Sequence, residues 1–366
     1  MLLSEAKNRV FKIIRSPAFW IVSLAVFNLA IFYFFVPDYF GLPGDSPSYF
    51  KAMEFLKGEH VGDDVPYNRL LTAPFTLFSS IALGFLAGGS ENGMLLMNTL
   101  FFFGAVFIFY RLALLVLGEW RAAFFSGAFF VSNYVFFRFG PTYLADIGGW
   151  FFFLLAALLV VRYFDTGQKK FFLWSAVASS IGFLFKEYGG LGIGVLSLLI
   201  LFSDFPWRRK IWDILLSAAI FAFLPLAYHI FFYLSYGFSY FDWFASNASY
   251  YGPEEKSFSS LVKMLGWLFF TGWPIFLYGL LGEWRERNAR RIKIFLAMAP
   301  ACLSFLFWPV YVERIAFVLV PLLSLIAGLG LSKIKNNILP AFLIIVYIIS
   351  NYFLLELIKA VNIPFL

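Results

Sequence analysis

At 366 residues, with 61% hydrophobic residues, 13% charged residues and a mean hydropathy of +0.82, the chain falls outside the water-soluble globular class. Soluble chains carry about 25% charged residues, and half of that cannot cover a folded surface. The single cysteine, Cys302, excludes an internal disulfide and any CxxC or Cys/His metal spacing, while the net charge of +7 first suggests an acidic partner.

Taken in chain order, the basic start MLLSEAKNRVFKIIR leads into an apolar run too long for a signal-peptide core and without a small-residue cleavage site. It reads as a retained first span over 18–36. Further spans are expected at 92–117, 120–137, 147–163, 171–186, 188–203, 211–235, 259–281, 294–309, 315–331 and 338–357. The fold class is therefore an all-α polytopic membrane protein of about eleven transmembrane helices. Several runs are short, which a thin or locally pinched bilayer accommodates. No internal repeat is visible, and no linker separates a soluble domain from residues 1–366.

A twelfth apolar run, Leu70–Ala87, is interrupted by Pro74, Gly84 and four hydroxyl residues. Charge decides its status. If it does not cross and the N-terminus is cytoplasmic, 19 of the 28 Lys and Arg face inward, including the clusters WRRK and WRERNARRIK. If it crosses, every later loop inverts and those clusters face outward. Residues 70–87 are thus expected to form a re-entrant or interfacial helix on the outer side, covered by other helices or lining a cavity.

Two exterior loops are longer than the rest, 37–91 and 236–258. The second, YGFSYFDWFASNASYYGPEEKSF, reads equally as an interfacial lid or as an aromatic membrane-interface belt. Its Asn247-Ala248-Ser249 triplet matches a glycosylation acceptor, a pattern frequent by chance. In the first loop, Ser46–Gly58 has the pattern of a short amphipathic helix, with Ser46 as N-cap and Pro47 as first helical residue. Asp45 then precedes a helix N-terminus, where it either complements the dipole or serves chemistry.

Fourteen of the 21 acidic residues fall on the outer side in this topology, half of them in the first loop. Carboxylates at the membrane edge are costly unless paired, solvated or used. His60 with Asp63 and Asp64 forms a weak candidate for a divalent cation, and a solvated loop cluster is the simpler reading. His229, inside the span 211–235, is expected to face the protein interior and to contact substrate or a neighbouring carbonyl.

Five segments in order resemble the GT-C superfamily of integral-membrane glycosyltransferases, which use polyprenyl-phosphate sugars. They are GDSPSYFKAMEFLKGE, PYNRLLTAPF, RFGPTYLADIGGWFFFLLAALLVVRYF, FLFKEYGGLGIGVLSLLI and VERIAFVLVPLLSLIAGLGL. The resemblance implies that Asp45 stands at the catalytic carboxylate, a general base for the acceptor nucleophile, with inversion at the anomeric carbon. It places Asp146 at the second-loop acid, which orients the acceptor or supports a divalent ion; capping of the helix starting at Ile147 is the plainer alternative. The departing phosphate needs cations, and Lys186, Arg314 and Arg69 are the candidates, with Arg138 weaker. Snorkelling, or pairing with Glu187 and Glu313, would explain the same residues, although sequence neighbours on a helix do not face each other. Tyr49, His229 and Glu187 are further expected substrate contacts.

Ser46 stands where better-known members carry a second acid, so a divalent cation is not required by the sequence. The expected partners are a polyprenyl-phosphate sugar, a lipid-linked glycan or small membrane acceptor, and the bilayer. The expected location is a prokaryotic cytoplasmic membrane, with the site on the outer face. A transporter or flippase of an amphipathic solute is the alternative; it predicts ionisable residues and broken helices near the midplane. The same topology divides the charge into +12 inside and −5 outside. The basic excess is then an orientation signal toward anionic inner-leaflet lipids, not a nucleic-acid footprint.

Overall fold

The computed structural model describes residues 16–35, 44–62, 65–250, 256–336 and 338–361. Among the described residues all regular structure is helical. In hydrocarbon the backbone has no water to bond, and a helix satisfies its groups within one segment. The first half contains α1 (Pro17–Phe35), α2 (Ser46–Leu56), α3 (Tyr67–Thr72), α4 (Pro74–Ala87), α5 (Ser90–Leu117), α6 (Trp120–Val131), α7 (Tyr134–Phe139), α8 (Asp146–Thr166) and α9 (Lys169–Phe185). The second contains α10 (Gly192–Phe202), α11 (Trp207–Tyr236), α12 (Tyr240–Tyr250), α13 (Phe258–Phe269), α14 (Trp273–Glu286), α15 (Ala289–Cys302), α16 (Glu313–Ala316), α17 (Val320–Ser332) and α18 (Ile338–Val361).

The expected runs fall mainly on these helices, although 294–309 leaves α15 after Cys302 and 188–203 begins in a 3₁₀ turn, Glu187–Leu191, and the chain is an integral membrane protein. Five stretches are long and apolar enough to cross by length and composition: Ser90–Leu117, Asp146–Thr166, Trp207–Tyr236, Phe258–Glu286 and Glu313–Ser332. Two further expected spans are interrupted where polar or strained backbone intervenes. Run 120–137 breaks at Asn133, whose side chain accepts from the Val135 amide and donates to the Leu268 carbonyl at 2.7 Å. Run 259–281 breaks at a 3₁₀ turn, Phe270–Gly272, which Phe270 enters with φ +31°.

The run 70–87, expected to be re-entrant or interfacial, is divided between the end of α3 and α4, with a break at Ala73. Its α4 has 14 residues, about 21 Å, against a hydrocarbon core of about 30 Å. A turn at Gly88 and Gly89, with φ of +78° and +149°, sends the chain back along α5. The two helices touch so closely that a Cβ on Gly93 would lie 2.1 Å from the Ser80 carbonyl oxygen.

The core is centred on α17, in which every residue is buried. Small residues let its neighbours approach without a driving force from water. Gly328 lies against Ser126 of α6, and Gly330 against Gly279 of α14. Aromatic rings fill the adjoining space: Phe102 stacks on Phe136, Phe109 on Phe130, and Trp150 meets Phe317 with centroids 4.1 Å apart. This ring-to-ring packing accounts for part of the 52 phenylalanines. In contrast, α11 exposes Leu215, Phe223, Ile230 and Leu234, as a lipid-facing helix does.

A second apolar cluster joins Tyr49 and Met53 of α2, Leu70 and Leu71 of α3, Leu144, Phe232 of α11 and Trp243 of α12. It lies at the end of the bundle where α2, α8 and α16 begin and α9 ends. In the second long loop, α12 buries Trp243 against Tyr240 and Trp308 while Phe241 stays exposed. That division suits either expected role, lid or interfacial belt.

Candidate active site

Side chain–backbone hydrogen bonds tie seven backbone segments to one another at this end. The Ser46 hydroxyl donates to the Tyr143 carbonyl at 3.1 Å, fixing the start of α2 to the loop before α8. The Asn98 amide donates to the Thr142 and Leu144 carbonyls, holding that same loop from α5. The Thr76 hydroxyl donates to the Phe185 carbonyl at 3.0 Å, joining α4 to the end of α9. The Tyr228 hydroxyl donates to the Leu70 carbonyl at 2.6 Å, joining α11 to α3. These bonds satisfy carbonyls that would otherwise be buried without partners.

The framework brings Asp45, Arg69, Asp146 and Arg314 together. Asp45 accepts from two guanidiniums, one on each oxygen: Arg69 Nη2 to Oδ1 at 2.8 Å and Arg314 Nη2 to Oδ2 at 2.6 Å. Arg314 Nη1 also lies 3.9 Å from Asp146 Oδ2. Asp146 accepts from the Tyr188 hydroxyl. Tyr49, 1% exposed, puts its ring under the Arg69 guanidinium, 5.0 Å from ring centroid to Cζ. Lys186 pairs with Glu187 at 3.2 Å. Three acids and three bases therefore meet, with zero formal net charge.

Local sequence explains the placement. Trp150 follows Asp146 by four residues and Phe317 follows Arg314 by three, so each ring lies one turn along from its charged residue. Their contact sets Asp146 beside Arg314. Glycines admit the third element: a Cβ on Gly149 would lie 2.6 Å from the Tyr188 ring and 2.8 Å from Lys186 Cβ.

Several sequence expectations change. Ser46 is not the N-cap of α2. Asp45 occupies that position, yet makes no side-chain capping bond, because both its oxygens are drawn to the arginines. Ser46 turns to Tyr143, and α2 ends at Leu56 rather than Gly58. Asp146 is the first residue of α8, not its cap, and its carboxylate leaves the helix axis for Tyr188 and Arg314. Lys186 and Glu187 do pair, since Lys186 is extended (φ −165°, ψ 141°) between α9 and a 3₁₀ turn, where the helical rule for neighbours lapses. Arg314 behaves as the rule requires: it turns to Asp45 while Glu313 meets Tyr134.

The remaining candidates divide. His229 has its Nε2 unpartnered and its ring near Tyr240, at a centroid distance of 5.8 Å. Glu187 is buried, and neither carboxylate oxygen makes a hydrogen bond. Arg138 lies over the Phe139 ring and outside the Asp45 group. His60 is exposed, while Asp63 and Asp64 lie outside the described residues. Tyr188 was not anticipated; the signal was its position between Lys186 and the pair Gly189-Gly190, which permits a tight turn.

A resident divalent cation does not fit this donor set. The Asp45 oxygens already carry two cationic partners, Asp146 is shared by Arg314 and Tyr188, and no group of three His, Cys, Asp or Glu converges among the described residues. Burial acts to raise the Asp45 carboxyl, but Arg314 and Arg69 outweigh it and hold it at about 2, below the ordinary 3.8. A depressed carboxylate stabilises the fold above its unfolded-state pKa and loses that contribution as pH falls through about 2. The bridge is thus intact across the whole neutral range.

No family model and no curated protein matches the sequence. Solved structures do match the fold. ArnT from Cupriavidus metallidurans bound to undecaprenyl phosphate superposes with a TM-score of 0.66 at 14% identity, over 86% of this chain and 60% of that one. Its apo state gives 0.64 at 15% identity, with the same coverage. The archaeal oligosaccharyltransferase AglB from Archaeoglobus fulgidus, in complex with an inhibitory peptide and a dolichol-phosphate, gives 0.54 at 14% identity, over 92% of this chain and 55% of that one. The chain thus spans little more than half the length of these proteins. Its helical architecture is the fold that ArnT and AglB share.

Proposed function

We propose that the protein is a membrane glycosyltransferase that moves a sugar from a polyprenyl-phosphate donor to an acceptor at the outer membrane face. The observation that carries this reading is the Asp45 carboxylate, set between Arg69 and Arg314 at one end of a GT-C fold. In the proposed step the acceptor hydroxyl attacks the anomeric carbon and gives its proton to Asp45. The bond from that carbon to the phosphate oxygen breaks, and the lipid phosphate leaves with the electron pair. One displacement inverts the anomeric centre. Arg69, Arg314 and Lys186 stabilise the charge that builds on the leaving phosphate.

Asp146 holds Arg314 in place, with Tyr188 holding Asp146. Glu187 and His229 have unused hydrogen-bonding capacity beside Lys186 and suit sugar hydroxyls. The acceptor is a lipid-linked glycan or a small membrane molecule. A transporter would place its ionisable groups near mid-membrane; here they gather at helix ends, which favours the enzyme.

Purified protein incubated with a polyprenyl-phosphate sugar and membrane-lipid extract should transfer labelled sugar with inversion. No transfer with any of a panel of such donors would overturn the proposal. The face is tested separately. The native Cys302 is buried, so Asn92→Cys provides one reactive thiol at the start of α5. A membrane-impermeant maleimide should reach it from outside intact cells; labelling only from the cytoplasmic side would reverse the topology.

A further inference from the structure

Resting on the reading of the chain as a lipid-phosphate glycosyltransferase, we infer that Asp45 and the lipid phosphate are alternative counter-ions for one guanidinium pair. Arg69 and Arg314 pass from the carboxylate to the phosphate and back in each turnover. The geometry comes first. Each Asp45 oxygen is engaged by a different arginine, at 2.8 and 2.6 Å. A phosphate reaching the same nitrogens meets a place already taken by an anion.

Charge sharpens the point. The three cations of the group are matched by Asp45, Asp146 and Glu187, and Lys186 already faces Glu187 at 3.2 Å. A phosphodiester adds a negative charge, so it must compete with an acid already present. Asp146 is the poor loser: it is 2% exposed and keeps the Tyr188 hydroxyl. Asp45 is the accessible one, with its side chain 26% exposed. When Asp45 lets go, the Tyr49 ring still supports Arg69 from below.

The chemical step moves charge in the same sense. Asp45 becomes neutral as it accepts the acceptor proton, and loses its hold on the arginines. The phosphate gains a second negative charge as the carbon–oxygen bond breaks, and strengthens its hold. Loss of the Asp45 proton to water afterwards restores the competing anion and helps to expel the product lipid. While both arginines hold it, the carboxylate is also a feeble proton acceptor; donor binding is what makes it basic. The donor therefore has to bind before the acceptor can be deprotonated.

The test is binding of polyprenyl phosphate, without sugar, to detergent-solubilised full-length protein, measured by calorimetry. Asp45→Asn resembles the protonated carboxyl and removes the competitor. It should bind the lipid phosphate on the order of tenfold more tightly than wild type. Equal or weaker binding would overturn the exchange while leaving the glycosyltransferase reading intact. Absence of lipid-phosphate binding by the wild type would remove both. If the variant does not fold, wild-type protein carrying ¹³C-carboxyl aspartate decides the matter. Adding the lipid phosphate should shift an aspartate carboxylate band in the infrared difference spectrum, and a spectrum without that shift rejects the exchange.

Discussion

Asp45→Asn is expected to reduce sugar transfer by about 10²–10⁴-fold, the usual contribution of a positioned general base. The amide is nearly the same size and can still accept from one guanidinium, so the loop before α2 should keep its place. It cannot take a proton. Transfer kinetics with saturating donor, together with a thermal unfolding curve, separate the two effects. The expected outcome is an unchanged unfolding midpoint, to within a few degrees, and near-complete loss of turnover. Turnover within a few-fold of wild type would take Asp45 out of the proton-accepting role. A loss that appeared only as a raised KM would assign it to binding.

Arg314→Gln should have the largest effect on both stability and activity. It removes the partner at 2.6 Å from Asp45 and the one at 3.9 Å from Asp146. Asp146 is then left buried with the Tyr188 hydroxyl as its remaining partner among those described here. Stripping one member from a buried ion pair costs about 3–5 kcal/mol, because the surviving charge stays out of water. Arg314→Lys restores the charge as a single point and loses the fork that reaches two carboxylates. The lysine variant should therefore fold with an intermediate unfolding midpoint and bind polyprenyl phosphate weakly. The glutamine variant should show both a large drop in midpoint and no measurable binding. If the two variants were equally stable, the link to Asp146 would have no structural weight.

Residues readable from sequence and residues that were not differ in a physical way. The expected apolar runs fall mainly on helices, because a membrane helix is specified by consecutive residues. The expectation that Leu70–Ala87 does not cross rests on a related signal: its Pro74, Gly84 and hydroxyl residues, together with the basic clusters downstream. The residue types at the site were legible too, since carboxylates and arginines are scarce in so apolar a chain. Their partners were not. Ser46 has the local pattern of an N-cap, yet its hydroxyl goes to Tyr143, 97 positions away. Lys186 and Glu187 were discounted as a pair on the assumption of a continuous helix, and the break at Lys186 reverses that. The turn around Tyr188 was legible in Gly189-Gly190, but its service to Asp146 was not, because the packing of Gly149 against its ring brings the two together.

The amino-acid sequence alone determined that this protein belongs in a bilayer, that its backbone is helical, and which few charged residues stand near helix ends. Those are consequences of local composition and of the cost of leaving a peptide group unbonded in hydrocarbon. The tertiary structure decided that Asp45 meets Arg314 across 269 positions of chain, with Arg69 on its other oxygen. Such a contact depends on how several helices stack, on rings such as Trp150 and Phe317, and on glycines that let backbones touch. No short stretch of residues contains that information. Within the +7 of the opening count lies a small neutral group in which three acids and three bases hold one another.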